Sequence, residues 1–241
     1  MSSAPAASQG GGQERLLKIN GRAILVRARH HRQARRIILR FDARKNCAIL
    51  TLPTRTSLES GFGFAQEKAG WLARRMAVLP PLTPFDDDAV IPFRGKPLLI
   101  RHFPLAGPNP VLMDGVLHIP GDVTGLAPRV EDWLRGQALD ALTQVTMQMA
   151  AAIGRAPPPV AVRDPKTRWG SCSAKGRLSF SWRLIMAPPT VLDYVAAHEV
   201  AHLLHLNHGA KFKAALAGLA ENKDEAQEWL AQEGSGLHRY G

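Results

Sequence analysis

Apolar residues fall into two textures along the chain, and the change between them lies near residue 120. In residues 16–52 the runs 23–26, 37–41 and 48–52 are rich in β-branched residues or alternate with polar positions, which predicts three strands. Charged turns join them, with Arg44-Lys45-Asn46 at the tip of the last hairpin and Pro53 as the stop. Over residues 57–78 the period lengthens: Leu58, Phe62, Ala65, Ala69, Leu72 and Met76 recur every three or four residues, predicting an amphipathic helix capped by Ser57. Gly61, Gly63 and Gly70 weaken its regularity. A polar, proline-bearing connection over 80–88 leads to three short strand-like pieces at 89–93, 98–102 and 116–119.

After Gly121 the texture turns helical. Residues 130–152 read as one long helix with Val130, Trp133, Leu134, Leu139, Leu142, Val145, Met149 and Ile153 on its apolar side, ended by Pro157-Pro158-Pro159. A hairpin is expected next, pairing 160–162 with 178–182 around a turn region at 171–176. Pro188-Pro189-Thr190 then opens a second strong helix, with Thr190 as N-cap and Asp193 answering it, that runs to about residue 206. A further helix covers 210 to about 219, and no internal repeat is evident. The fold class is α+β: a β-rich N-terminal part over 14–120, then a helical core with a short β-hairpin over 121–241. Residues 1–13, mostly Ser, Ala, Gly and Gln, read as a disordered tail.

Composition changes this picture in two ways. The apolar fraction of 45% suffices for a core and excludes a fibrous or disordered chain. The net charge of +11 is unevenly placed, because residues 14–45 carry Arg15, Lys18, Arg22, Arg27, Arg29, Arg32, Arg35, Arg36, Arg40, Arg44 and Lys45 against only Glu14 and Asp42. No apolar run is long enough for a membrane helix and no signal pattern opens the chain, so a soluble, cytoplasmic protein is expected. Two cysteines, Cys47 and Cys172, exclude a disulfide framework.

Chemistry concentrates in His198-Glu199-Val200-Ala201-His202. Two histidines at i and i+4 share one helical face about 6 Å apart along the axis, within reach of one ion. Glu199 is turned roughly 100° from His198, which brings its carboxylate beside an open metal position, where it can take a proton from water. His205 lies about 10 Å along the axis from His198, too far to share an ion on a straight helix. His208 stands between Asn207 and Gly209, residues that readily adopt the left-handed conformation that stops a helix, so the chain can fold back and present it as third ligand. Two imidazoles and a carboxylate between the apolar flanks 195–197 and 203–204 would be costly to bury without a metal. His205, Tyr194 and Arg168 are the candidates for steadying the oxyanion or contacting substrate, Tyr194 because it precedes His198 by one turn.

Arg168-Trp169-Gly170-Ser171-Cys172-Ser173, Trp182-Arg183-Leu184, Ala187-Pro188-Pro189, the His198 to His202 motif and Asn207-His208-Gly209-Ala210-Lys211-Phe212 together resemble the YgjP-like (DUF45) family of zinc metallopeptidases. Weaker likeness extends to Arg35-Arg36-Ile37, Leu52-Pro53 and Lys68-Ala69-Gly70-Trp71. The resemblance implies a metallopeptidase domain over 14–241 with a zincin-like core, one Zn2+ held by His198, His202 and His208, and Glu199 as catalytic acid/base. Ser181 stands where the family commonly has Asn, and Lys213 where it often has an aromatic residue. Trp169 and Trp182 are read as core packing, Cys172 as a small buried residue, and the strand at 178–182 as a surface on which a substrate backbone could pair.

The function expected is a zinc-dependent metallohydrolase, a peptidase in which Glu199 activates zinc-bound water to cleave amide bonds of a peptide or protein substrate. A nucleic-acid-associated protein is the alternative: the basic 15–45 region would bind phosphate backbone, with protease activity on DNA-bound proteins as a combined form. With only Phe41 to stack on bases, that region is unsuited to reading single-strand sequence.

Overall fold

Ile24, Val26 and Ala28 alternate with Leu25, Arg27 and Arg29, and the alternation is realised as a strand with one buried and one wetter face. The structure, a computed structural model, describes residues 13–19, 22–43, 45–77, 79–104 and 107–241. The expected tail at 1–13 therefore lies outside the described residues except for Gln13, as do Arg44 at the hairpin tip and the side chain of Arg22. The chain divides into two compact units between Pro80 and Pro81.

The first unit is a four-stranded sheet under two helices. Strands β1 (Gln13–Ile19), β2 (Arg22–His30), β3 (Ile38–Asp42) and β4 (Cys47–Leu52) lie in the order β1-β2-β4-β3, with β2 and β4 parallel and both outer pairs antiparallel. β1 is one strand more than the pattern predicts. Of its residues whose side chains are described, only Leu17 is buried, and edge pairing through main-chain bonds leaves little trace in side-chain pattern. Leu17, Ile24, Val26, Ala28, Ala48, Leu50 and Leu52 pack against Phe62, Ala65 and Leu72 from α1 (Leu58–Glu67) and α2 (Ala69–Ala77). Ser57 caps α1 as expected, its hydroxyl accepting the Ser60 N–H at 3.1 Å, but the single helix of the pattern is interrupted at Lys68, two residues before Gly70. The basic excess of this unit is mostly solvated. Arg15 pairs with Glu59 and Arg27 with Glu14, whereas Arg29, Arg32, Arg35, Arg36 and Arg40 are exposed.

The second unit opens with another four-stranded sheet, β5 (Val90–Phe93), β6 (Lys96–His102), β7 (Val111–Met113) and β8 (Val116–Ile119), in the order β5-β6-β8-β7. Its central pair, β6 and β8, is parallel and its outer pairs are antiparallel, so the two sheets repeat one topology. The repeat was invisible as sequence identity, yet its punctuation corresponds: Arg29-His30 and Arg101-His102 end β2 and β6, Leu52-Pro53 and Ile119-Pro120 end β4 and β8, and Trp71-Leu72 and Trp133-Leu134 lie in the helices that follow. The pattern does not predict β7, because Val111-Leu112-Met113 is a three-residue run that follows Pro108 and Pro110. Asp114 (φ 49°) and Gly115 (φ 78°) close its hairpin as a two-residue turn that requires positive φ at both positions.

The helix α3 (Leu126–Ala152) buries Val130, Leu134, Ala138, Leu142, Thr146 and Ala150, one residue every four, and the Thr146 hydroxyl donates to the Leu142 carbonyl at 2.6 Å. Three strands follow, β9 (Val160–Arg163), β10 (Gly170–Cys172) and β11 (Leu178–Ser181), in the order β10-β11-β9. The expected hairpin of 160–162 with 178–182 is corrected. Those segments run parallel, Val162 opposite Phe180, and the antiparallel partner of β11 is β10, out of the supposed turn region. Gly-Ser-Cys has no apolar alternation by which to recognise a strand.

The next helix, α4 (Pro189–Ala201), begins at Pro189 after Pro188 as N-cap, so Thr190 lies in its first turn and is not the cap; it ends at Ala201, about five residues earlier than expected. Apolar residues surround it, and it is accordingly buried, against α3, β10, α5 (Ala210–Leu219) and α6 (Lys223–Gln232). α6 and a 3₁₀ turn at Gly234–Arg239 follow, neither expected from the pattern. No helix among the described residues is long and apolar enough to cross a membrane.

Two glycines of α1 are predicted to respond oppositely to alanine. A Cβ at Gly61 would stand 2.8 Å from Leu52 Cδ2 in the packed core, so Gly61→Ala should destabilise by about 1–3 kcal/mol; Gly63 faces open space, and Gly63→Ala should stabilise by about 0.5–1 kcal/mol. Denaturant unfolding of the two variants beside the parent measures both signs.

Candidate metal centre

His198 and His202 leave α4 on one face at its last turn, and what brings His208 back to them is the way the helix closes. The N–H of Leu203 reaches the Val200 carbonyl at 2.9 Å, a tightened i to i+3 bond, and the N–H groups of Leu204 and His205 both return to Ala201 at 3.1 Å. The expectation of left-handed residues at Asn207 and Gly209 is corrected: neither has positive φ, and Gly209 is extended at φ −71°, ψ −175°. The chain nevertheless reverses before α5, and one ligand atom from each of His198, His202 and His208 lies within 4.8 Å of the others. The Nε2 atoms of His198 and His208 are 3.1 Å apart, near the roughly 3.4 Å expected of two ligands on a tetrahedral ion with bonds of about 2.1 Å. His202 Nδ1 lies 2.9 Å from the His205 carbonyl oxygen, which can only accept; the ring proton therefore sits on Nδ1 and leaves Nε2 with its lone pair. Burial, then the neighbouring His202 and His208, push His198 down to about 4, so its imidazole is neutral and able to ligate near pH 7. Phe212 backs the cluster, with ring centroids 5.1, 4.6 and 4.7 Å from His198, His202 and His208.

Glu199 is 6% exposed and faces β10. Burial raises its carboxyl to about 7, opposed by the positive charge of Arg168 and by the Cys172 N–H, which donates to the carboxylate. Gly170 makes that approach possible: a Cβ there would stand 2.6 Å from both Glu199 Cγ and Oε1. The three-histidine cluster, the buried carboxyl and the strand against it thus occupy one corner of the second unit.

Residues 35–233 match the family model described as YgjP-like, metallopeptidase domain. The chain belongs to the YgjP-like family. Membership implies a divalent metal, and the three histidines are a group that could hold it. No curated protein matches the chain. A solved structure, the crystal structure of the metallopeptidase zymogen of Methanocaldococcus jannaschii jannalysin, is 19% identical over 39% of this chain and 89% of its own, with a TM-score of 0.35.

The remaining site residues of this YgjP-like chain are placed unevenly. The Tyr194 and His198 rings lie 6.2 Å apart between centroids at 65° to one another, while the Tyr194 hydroxyl accepts from Gln227 Nε2 at 2.6 Å. His205 meets the cluster through its backbone carbonyl, and its imidazole is not in the ligand group. Arg168 is exposed and within electrostatic reach of Glu199. β11 is paired on both sides and cannot accept a further strand; the edge beside α4 is β10, which corrects the expected pairing surface. Trp182 is fully buried, whereas Trp169 is half-buried. Burial and the Glu199 carboxylate push the Cys172 thiol up, away from thiolate character. Gly170, Phe212 and Gln227 were missed as site residues. A close approach at Gly170 is a tertiary fact, and Gln227 is 33 residues from its partner.

In metal-free protein the buried Glu199 sets a pH dependence. Below about pH 4.5 it is protonated whether folded or unfolded; as pH rises through about 7 its ionisation costs the folded state, so stability is lost in that window. Metal-free Glu199→Gln should therefore match the parent near pH 4 and exceed it by about 3 kcal/mol at pH 8, measured by urea unfolding at each pH.

Proposed function

We propose that this YgjP-like chain is a zinc peptidase in which His198, His202 and His208 hold the ion and Glu199 is the acid/base. The observation that carries the reading is the convergence of three ligating atoms within 4.8 Å beside a buried carboxyl raised to about 7. Three imidazole nitrogens that converge without a carboxylate or thiol in the group suit zinc, which when bound would polarise a carbonyl and lower the pKa of water toward about 7.

The residues then divide the work. Glu199 takes a proton from the attacking water at its carboxylate and gives it to the leaving amine nitrogen; a pKa near 7 suits both halves of that transfer. The His205 carbonyl and the Phe212 ring keep the imidazoles in orientation. Arg168, exposed and near Glu199, is the best placed of the three candidates to steady the oxyanion, because the Tyr194 hydroxyl is already engaged by Gln227 and His205 contributes its carbonyl. An extended peptide lies along the outer edge of β10, where main-chain pairing is indifferent to side-chain identity.

The protein loaded with zinc and offered an unbiased peptide library should cleave a subset of it. Glu199→Gln should keep one zinc per chain and lose cleavage by about 10²–10⁴-fold. His208→Ala should lose the zinc that His205→Ala keeps. A fully active Glu199→Gln would end the mechanism.

A further inference from the structure

Arg183 is 1% exposed, and a guanidinium so deeply buried is costly unless its donors are paired. Its pairing joins two distant pieces of the second unit. Nε and Nη2 donate to Asp164 Oδ1 and Oδ2 at 2.8 and 3.2 Å, and Nη1 donates to the carbonyls of Leu237 at 2.9 Å and Tyr240 at 2.7 Å. The Trp182 ring lies 4.4 Å beneath. Asp164 starts the loop that leads from β9 to β10, and Leu237 belongs to the 3₁₀ turn after α6.

The far end of the same loop touches the same segment. Trp169 stacks on His238, 5.5 Å between centroids and 23° between planes, and a Cβ at Gly234 would stand 3.1 Å from Trp169 Cζ2. The Trp169 carbonyl accepts the Ser181 N–H at 2.8 Å, and across the segment the Thr83 N–H donates to Arg239 O at 2.8 Å. Between these anchors the loop carries Arg168 and hands the chain to Gly170 and Cys172, which define the place of the Glu199 carboxylate. β10 is three residues long and paired on one side, too little to hold itself within the roughly 0.5 Å that a catalytic constellation requires.

We infer that Arg183 is a positioning residue for Glu199, acting through the 164–169 loop, and that residues 234–240 are the brace on which that loop is held. Those residues lie beyond the 35–233 span matched by the family model. The inference rests on Glu199 as the acid/base of the proposed peptidase.

The test compares zinc-loaded full-length parent, His238→Ala, His238→Phe and Arg183→Lys, using one peptide recovered from the library that the parent cleaves, with hydrogen–deuterium exchange on the same samples. His238→Ala should keep one zinc per chain and lose kcat by about tenfold or more, with KM changed by less than about threefold, because a displacement near 1 Å at the acid/base costs rate before it costs binding. His238→Phe restores the stack and should restore kcat. Arg183→Lys cannot span a carboxylate and two carbonyls; exchange should rise together in 164–172 and 234–240 while α4 stays protected. Should Arg183→Lys not fold, the His238 pair decides alone. Parental kcat in His238→Ala, or exchange that rises in 234–240 but not in 164–172, overturns the inference. A parent that cleaves no peptide overturns the peptidase reading instead, and the joint or separate rise in exchange still decides whether the loop is braced.

Discussion

A mostly apolar helix must be buried, and α4 with its C-cap carries a glutamate into that burial and two histidines to its edge. Everything around the site answers the cost. His202 Nδ1 donates to the His205 carbonyl, Gln227 Nε2 donates to the Tyr194 hydroxyl, the Cys172 N–H donates to the Glu199 carboxylate, and partial burial together with the neighbouring imidazoles keeps His198 neutral. The carboxyl that burial raises to about 7 is the same group whose protonation would have to change during hydrolysis, so one constraint, desolvation, sets both a stability cost and a chemical capacity.

The features legible in the sequence were those whose signal is local. The i, i+4 histidines and the Ser57 cap each depend on residues within a turn or two of one another, whereas the α3 stripe was legible only at Val130, Leu134 and Leu142: Leu139 is exposed, and Ala138, Thr146 and Ala150 fill the buried positions that apolarity alone does not mark. His208 was legible as the returning residue, although by the wrong device: the expectation used left-handed residues, and the chain instead tightens its last helical turn. What could not be read was set by distant partners. β1 and β10 are edge strands held by main-chain pairing, the parallel neighbour of β11 comes from across a loop, and Gly170 matters only because Glu199 arrives beside it. Arg183 resembled a motif residue in the sequence, but its partners at 237 and 240 are more than fifty positions away.

The two sheets sharpen the meaning of the charge. They repeat one topology, yet the first carries the basic excess, while the second leads into the helices that bear the site. Within the first unit Arg15 and Arg27 are matched by glutamates while Arg29, Arg32, Arg35, Arg36 and Arg40 stand exposed, so the basicity is a property of that unit's surface and not of the three-histidine cluster.

In the proposed peptidase three histidines close on one ion and leave a position open beside Glu199. Zinc K-edge X-ray absorption on the zinc-loaded full-length protein, with anomalous diffraction at the same edge to assign the ligands, measures that arrangement. Three nitrogen ligands at about 2.0–2.1 Å from His198, His202 and His208 and one further oxygen are expected. A shell containing sulfur, His205 in place of His208, or no bound zinc would contradict that arrangement.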